Sequence, residues 1–109
     1  MNKLTKKTGI IAFVLILLGT AVYAAKVHTV AQQDRKFSVA QIEIAVGDTV
    51  DFPNQDEFFH NVYSLSPTKI FDLGSYTKGS SKKVVFDKAG EVEVRCAIHP
   101  EMKMKIIVK

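Results

Sequence analysis

Apolar and polar residues alternate along most of the chain after residue 36, and this period of two sets strong limits on the fold. Successive side chains of a β-strand point to opposite faces of a sheet, so the alternation predicts strands with one buried face. It is clearest in residues 91–96, where Val92, Val94 and Cys96 share one side. Turn-forming residues recur every several positions, and no sustained helical period is present. The sequence therefore predicts an all-β fold, either a small β-sandwich or a Greek-key barrel.

The same pattern divides the chain into one small domain, residues 37–109, preceded by residues 25–36 as an N-terminal arm or a first strand. His28, in that N-terminal part, is expected to face solvent and to have no special role. Between residues 66 and 80, turn signals predict an irregular stretch whose apolar residues pack locally. The predicted strands are residues 37–46, as one bent strand or two, and residues 49–53, 60–65, 82–86, 91–96 and 102–109.

Residues 1–24 have the three parts of an export signal. Lys3, Lys6 and Lys7 precede an unbroken apolar run at residues 9–18, and small residues lead to Ala24. We expect cleavage after Ala24 and a periplasmic or otherwise exported protein. The alternative is a retained N-terminal membrane anchor, because the uncharged segment is close to the minimum length of a membrane span.

Loss of the leader changes the charge of the chain. It leaves 12 of the 15 basic residues against 11 acidic ones, a net charge of +1. A nucleic-acid partner is therefore not expected, since no basic stretch is interleaved with aromatic residues. The mature domain is also too small to have a large core and has no second cysteine for a disulfide, so a bound metal is a natural source of stability.

Cys96 is the only cysteine, and an unpaired thiol in an exported protein needs an explanation. Strand parity turns its side chain inward, where a thiol without metal would be an inert apolar group. His99 follows three residues later, and His60, Met102 and Met104 also lie at or near predicted strand ends. Any one of them alone could be structural. Together, one thiolate, two imidazoles and a thioether form the ligand set of a blue-copper site, whereas zinc more often has further cysteines, histidines or carboxylates.

A catalytic role for Cys96 and His99 is not indicated. They could be read as a nucleophile and a base, but no third group that would orient the histidine and no oxyanion motif accompanies them. We therefore expect a protein that is not an enzyme.

Two segments carry a family resemblance. The first is Asn54-x-Asp56-x-x-x-His60-Asn61-Val62, and the second is Cys96-x-x-His99 followed by methionine. Together they resemble the plastocyanin-like cupredoxins, which are small type 1 copper proteins. The run His99-Pro100-Glu101-Met102 with a short terminal strand is most similar to the amicyanin branch. The resemblance covers nearly all of the chain from about residue 37 onward.

The resemblance implies a Greek-key sandwich that binds one copper ion, cycling between Cu(I) and Cu(II). His60, Cys96 and His99 would be the equatorial ligands. Met102 matches the amicyanin-like spacing of the axial ligand, and Met104 matches the longer spacing of plastocyanin and pseudoazurin. Both methionines have the same strand parity, so the alternation cannot choose between them. The family match at Pro100 and the short C-terminal run favour Met102.

The resemblance also implies roles around the ligands. The side chain of Asn61 would tie the two ligand segments together, and the ring edge of His99 would be the electron port. Ala97 and Ile98 stand where many family members have a proline, which affects the hydrogen bonds expected at the thiolate. The apolar surround that limits access of water would be Phe52, Phe58, Phe59, Ile98 and Pro100.

The expected function is transfer of single electrons between redox partners, such as a cytochrome or a dehydrogenase, by a monomer. Contact with a membrane is expected only if the leader is retained. Two other functions fit the same sequence. One is a protein that binds and delivers copper without redox turnover, and the other is a metal-free β-sandwich interaction module.

Overall fold

The computed structural model describes residues 23–109, which form strands and turns without a helix. No helix that could cross a membrane is therefore found in this part of the chain. The proposed leader and anchor, residues 1–24, lie almost entirely outside the described residues. The strands are β1 Val27–Thr29, β2 Gln32–Gln33, β3 Lys36–Phe37, β4 Gln41–Ile44, β5 Thr49–Pro53, β6 His60–Ser64, β7 Phe71–Tyr76, β8 Ser81–Val85, β9 Gly90–Cys96 and β10 Lys103–Val108.

Two sheets form the sandwich. One has the strand order β1-β5-β8 and the other β4-β10-β9-β6-β7, while β2 and β3 make a separate hairpin. The pairs β1 with β5 and β4 with β10 are parallel, and the remaining pairs are antiparallel. The all-β prediction is confirmed, and the alternating residues do form the core. Its members are Val30, Phe37, Ile44, Val50, Phe52, Val62, Tyr76, Val84, Phe86, Val92, Val94, Cys96, Met102, Met104, Ile106 and Val108.

The prediction of an irregular stretch at residues 66–80 was wrong for residues 71–76. Strand β7 runs from Phe71 to Tyr76 and forms one edge of the five-stranded sheet, beside β6. Its pairing with β6 shifts register, and Gly74 has a φ of 69°. Such a bulge adds a residue to one strand and reverses the parity of the side chains beyond it. Apolar residues on either side of Gly74 therefore do not alternate, and the strand pattern is hidden.

The N-terminal residues form strands and are held by Asp48. Its buried carboxylate accepts hydrogen bonds from the backbone N–H groups of Lys26 and Ala45, each at 3.0 Å. His28 Nε2 lies 2.8 Å from the same carboxylate, so the expectation that His28 is an incidental solvent-facing residue was wrong. The hydrogen bond from Lys26, followed by that from His28, holds the pKa of Asp48 well below its usual range. This ionised side chain attaches the first strand to the turn before β5.

Candidate metal centre

Neighbouring strands position the first two candidate ligands. Cys96 is the last residue of β9, and His60 is the first residue of β6, its neighbour in the sheet. The alternation along β9 turns the Cys96 side chain into the core, where only 2% of the residue is exposed. Because Val62 pairs with Cys96, His60 lies beyond the end of this ladder, on the same side of β6 as Val62. Both side chains are therefore directed to one end of the sandwich.

The third candidate ligand, His99, lies in the turn between β9 and β10. Two backbone hydrogen bonds close this turn: Met102 N–H donates to the His99 carbonyl at 2.9 Å, and Cys96 N–H donates to the Met102 carbonyl at 3.2 Å. A third, from Ala97 N–H to the Asn61 carbonyl at 2.9 Å, joins the turn to β6. The closed turn brings His99 back over Cys96.

The three donor atoms converge on one point. The Cys96 Sγ atom is 3.5 Å from His60 Nδ1 and 3.9 Å from His99 Nδ1, and all three atoms lie within 4.8 Å of one another. Nitrogen and sulfur ligands of a small divalent ion, at about 2.0 and 2.3 Å and 120° apart, are separated by about 3.7 Å. One thiolate and two imidazoles at this spacing fit a trigonal copper site.

Aromatic rings cover the site unevenly. His60 is fully buried and His99 is half-buried, while the Phe58 ring centroid lies 5.2 Å from that of His60 and 5.3 Å from that of His99. Phe59 and Ile98, expected in the apolar surround, are both exposed. Of the two remaining expected members, Pro100 is exposed and Phe52 is buried in the core. The ring of His99 is thus the part of the site closest to solvent.

The tie through the Asn61 side chain that the resemblance implied stays a prediction. The link between the ligand segments is the backbone bond from Ala97 to the Asn61 carbonyl. The side-chain Oδ1 atom of Asn61 is buried and has no hydrogen-bond partner within residues 23–109. The backbone of Asn61 therefore makes one connection between the two ligand segments.

The register of β9 and β10 separates the two methionines. Met104 pairs with Val94, and Lys103 pairs with Arg95, so Met102 comes opposite Cys96. Two residues along a strand correspond to about 6.6 Å. Both methionines are buried, at 2% and 3% exposure, so burial does not distinguish them. The register places the backbone of Met102 beside Cys96. The backbone of Met104 lies two residues further along the strand, beside Val94.

Asp56 is a contact of the site that the sequence analysis did not identify. Its Oδ2 atom lies 2.6 Å from His60 Nε2, the ring nitrogen that faces away from Cys96. Burial raises the pKa of Asp56, but hydrogen bonds from His60 and from the backbone of Arg35 and Asp34 lower it by more. Asp56 stands in the segment that carries the family resemblance, four residues before the histidine, but no role was predicted for it.

Comparison with known proteins supports this arrangement. Residues 24–109 match the model of the copper binding proteins of the plastocyanin/azurin family. The chain is 30% identical over 87 residues to the methylamine utilization protein MauL of Methylorubrum extorquens, an alignment that covers 79% of this chain and 72% of MauL. It is 30% identical over 81 residues to amicyanin of Paracoccus denitrificans, covering 68% of this chain but only 59% of amicyanin.

A solved structure also supports membership of this family. The reduced form of an amicyanin variant has a TM-score of 0.71 with this chain at 25% sequence identity, covering 82% of this chain and 88% of that one. The resemblance to the cupredoxins is therefore confirmed, and with it the expected copper cofactor. The chain belongs to the plastocyanin/azurin family of copper-binding proteins.

Proposed function

We propose that this protein carries single electrons between redox partners, with one copper ion bound by His60, Cys96, His99 and, as a weak axial ligand, Met102. The observation that supports this most strongly is the grouping of two imidazole nitrogens and one thiol sulfur within 4.8 Å at a buried strand end. Soft thiolate and imidazole ligands in a trigonal arrangement, with a long thioether bond, are typical of blue-copper electron-transfer sites.

The protein frame contributes rigidity. Copper, when bound, supplies the one-electron couple between Cu(I) and Cu(II). His60 and Cys96 lie on adjacent strands, and the turn that carries His99 is closed by backbone hydrogen bonds. Ligands held in this way cannot move freely toward the geometry that either oxidation state prefers. A small rearrangement on electron transfer gives a small barrier.

His99 is the proposed electron port. It is half-buried, whereas His60 and Cys96 are buried, and exposed Phe58 and Ile98 lie on the neighbouring surface. A partner that docks there would approach the site more closely than from any side covered by a sheet. The proposed mature net charge of +1 gives little electrostatic steering, so an apolar contact around His99 is the expected docking mode.

The partners are proposed to be redox proteins, such as a dehydrogenase or a cytochrome. The name of the relative MauL refers to methylamine utilization, which makes a redox protein of methylamine utilization one candidate donor. We also propose that the protein is exported to the periplasm or beyond, since residues 1–24 have the features of an export signal. It is proposed to be a monomer, and its one cysteine is buried and therefore not placed to form a disulfide with a second copy. Its role is that of a carrier rather than an enzyme.

Adding one equivalent of copper(II) to the domain is expected to produce intense blue or green absorption, because charge moves readily from a bound thiolate to copper(II). Absorption spectroscopy checks this, and voltammetry should then show one reversible one-electron wave. A colourless copper adduct would contradict the proposal. Intense colour without a reversible wave would favour copper delivery without redox turnover.

The axial ligand is tested by comparing Met102→Gln with Met104→Gln. An amide oxygen binds copper(II) more strongly than a thioether does, so Met102→Gln is expected to alter the electron paramagnetic resonance spectrum and to lower the reduction potential. Met104→Gln buries an amide in the core and is expected to cost about 1–3 kcal/mol of stability with little spectral change. It serves as the matched control, and a spectral change confined to Met104→Gln would assign the axial position to Met104.

A further inference from the structure

The carboxylate of Asp56 connects His60 to the turn of the β2–β3 hairpin. Oδ2 is 2.6 Å from His60 Nε2 and accepts a hydrogen bond from Arg35 N–H at 3.2 Å, while Oδ1 accepts one from Asp34 N–H at 2.7 Å. Only 6% of Asp56 is exposed. Burial of a carboxylate is costly unless hydrogen bonds replace its water. These three bonds provide the replacement, and two of them come from a different part of the chain.

The turn is built to present these two amides. Asp34 and Arg35 have φ angles of 55° and 57°, the left-handed conformation that a tight two-residue hairpin turn requires at both positions. Successive N–H groups in such turns point to one side and form a concave site for an anion. Here the anion is the side chain of Asp56. This left-handed conformation is costly for residues other than glycine. The hydrogen bonds to Asp56 therefore also stabilise the turn.

The hairpin is itself firmly attached beside the site. Gln55 N–H donates to the Gln32 carbonyl at 2.8 Å, and the buried Gln32 side chain donates to the Tyr76 hydroxyl at 2.8 Å. Asp56 N–H in turn donates to the Asn54 side chain at 2.8 Å. The carboxylate therefore has little freedom to follow any movement of the His60 ring.

This contact determines which ring nitrogen of His60 carries the proton. With Asp56 ionised, the 2.6 Å contact is a hydrogen bond only if Nε2–H donates it, and a neutral ring then keeps its Nδ1 lone pair toward Cys96 Sγ. Carboxylates that accept from the second nitrogen of a metal-binding histidine orient its ring and increase its basicity. A buried negative charge near copper also stabilises the more highly charged oxidation state.

We propose that Asp56, held by the Asp34–Arg35 turn, is a positioning residue that fixes the ring and tautomer of His60 and favours Cu(II) over Cu(I). The proposal rests on the copper function proposed above. It assigns the N-terminal hairpin a role in setting the reduction potential, although neither of its strands contributes a ligand.

The first test is Asp56→Asn, which keeps the side-chain shape and removes the charge. We expect affinity for copper(II), measured by competition with a chelator, to fall about 10- to 100-fold, and the reduction potential to become more positive. The control is Asp87→Asn. Asp87 is highly exposed and lies beyond the far end of β9, about 20 Å from Cys96, so the same loss of charge should leave both quantities unchanged.

Unchanged copper(II) affinity and potential in Asp56→Asn would overturn the proposal, even if the metal-free variant were less stable. A second measurement does not depend on copper. In the metal-free protein the Nε2 proton of His60 should be visible by nuclear magnetic resonance as a slowly exchanging signal, and Asp56→Asn should speed its exchange. Loss of protection without a change in potential would also count against the proposal.

The hairpin is tested with two variants that lose the same charge. Asp34→Pro removes the amide donor and cannot adopt a φ of 55°, whereas Asp34→Asn keeps both features. We expect Asp34→Pro to shift the potential in the same direction as Asp56→Asn, and the combined variant to shift it no further. Asp34→Asn should behave like the parent protein. Additive shifts would show that the turn does not act through Asp56.

These results are distinct from a failure of the copper function itself. If the unmodified protein lacks intense copper absorption, the proposed function fails. If that absorption and a reversible wave are present but Asp56→Asn leaves the potential unchanged, only the role assigned to Asp56 and the hairpin fails.

Discussion

Replacing Cys96 with serine is expected to abolish the intense visible absorption of the copper(II) protein and most of the stability that copper adds. A serine hydroxyl keeps its proton at neutral pH and is a poor ligand for copper, whereas the thiolate is soft and charged. A ligand present at 1,000 times its dissociation constant stabilises the native state by about 4 kcal/mol. Thermal unfolding with and without copper(II), together with absorption spectra, measures both effects.

The control for this variant is Val94→Thr. Val94 is fully buried two residues earlier on the same face of β9, so the change also places a hydroxyl in the core of that strand. It is expected to cost about 1–3 kcal/mol and to leave the colour and the stabilisation by copper intact. A Cys96→Ser protein that remains blue, or that gains as much stability from copper as the Val94→Thr protein, would contradict the assignment of Cys96.

Local alternation was enough to predict strands that have no bulge. Residues 49–53 were predicted with the bounds that β5 has in the structure, because Val50 and Phe52 face the core and the flanking turn residues stop the pattern. Strand β7 could not be found in the same way. Its alternation is broken at Gly74, and a bulge depends on how the strand pairs with β6, which local sequence does not state.

Contacts between distant residues were the main limit. His28 and Asp48 are 20 residues apart and both charged or polar, so nothing in the pattern of either segment indicates that they meet. The contact between Asp56 and the turn at Asp34 is of the same kind. Partly buried polar contacts of this type can be predicted only once the order of the strands is known.

The grouping of His60, Cys96 and His99 could be predicted because it follows from strand ends and from the parity of β9. The alternation could not choose between Met102 and Met104, since residues two apart share a face, and the preference for Met102 came from the family resemblance. Cross-strand register distinguishes them, because one lies opposite Cys96 and the other opposite Val94. The expected role of the Asn61 side chain came from the resemblance alone and stays a prediction, while a backbone hydrogen bond from Ala97 to Asn61 joins the two ligand segments.

Phe52→Ala is expected to lower the unfolding temperature of the metal-free domain strongly and to leave the copper form folded. Phe52 is fully buried in β5, and its ring centroid is 6.2 Å from that of Phe71 on the opposite sheet. Truncation of a buried phenylalanine to alanine costs about 3–5 kcal/mol. A domain of about 85 residues has a total stability of about 4–13 kcal/mol. The loss is therefore comparable to the lower part of that range.

Copper can compensate for such a loss because its site exists only in the folded state. His60 and Cys96 are 36 residues apart, and strand pairing brings them together. Copper at 1,000 times its dissociation constant adds about 4 kcal/mol, close to the cost of the lost ring. Thermal unfolding of the variant should therefore shift to a much higher temperature on addition of copper(II).

The control is Val85→Ala, in which the shortened side chain is half-exposed on β8 and leaves no cavity in the core. It should unfold close to the parent temperature in the absence of metal. If copper(II) leaves the unfolding temperature of Phe52→Ala unchanged, the metal does not bind the folded sandwich selectively. The ligands come from strands that only the packed core holds together. Core packing and copper binding therefore stabilise the same native state, and for this reason copper(II) can compensate for the loss of the Phe52 ring.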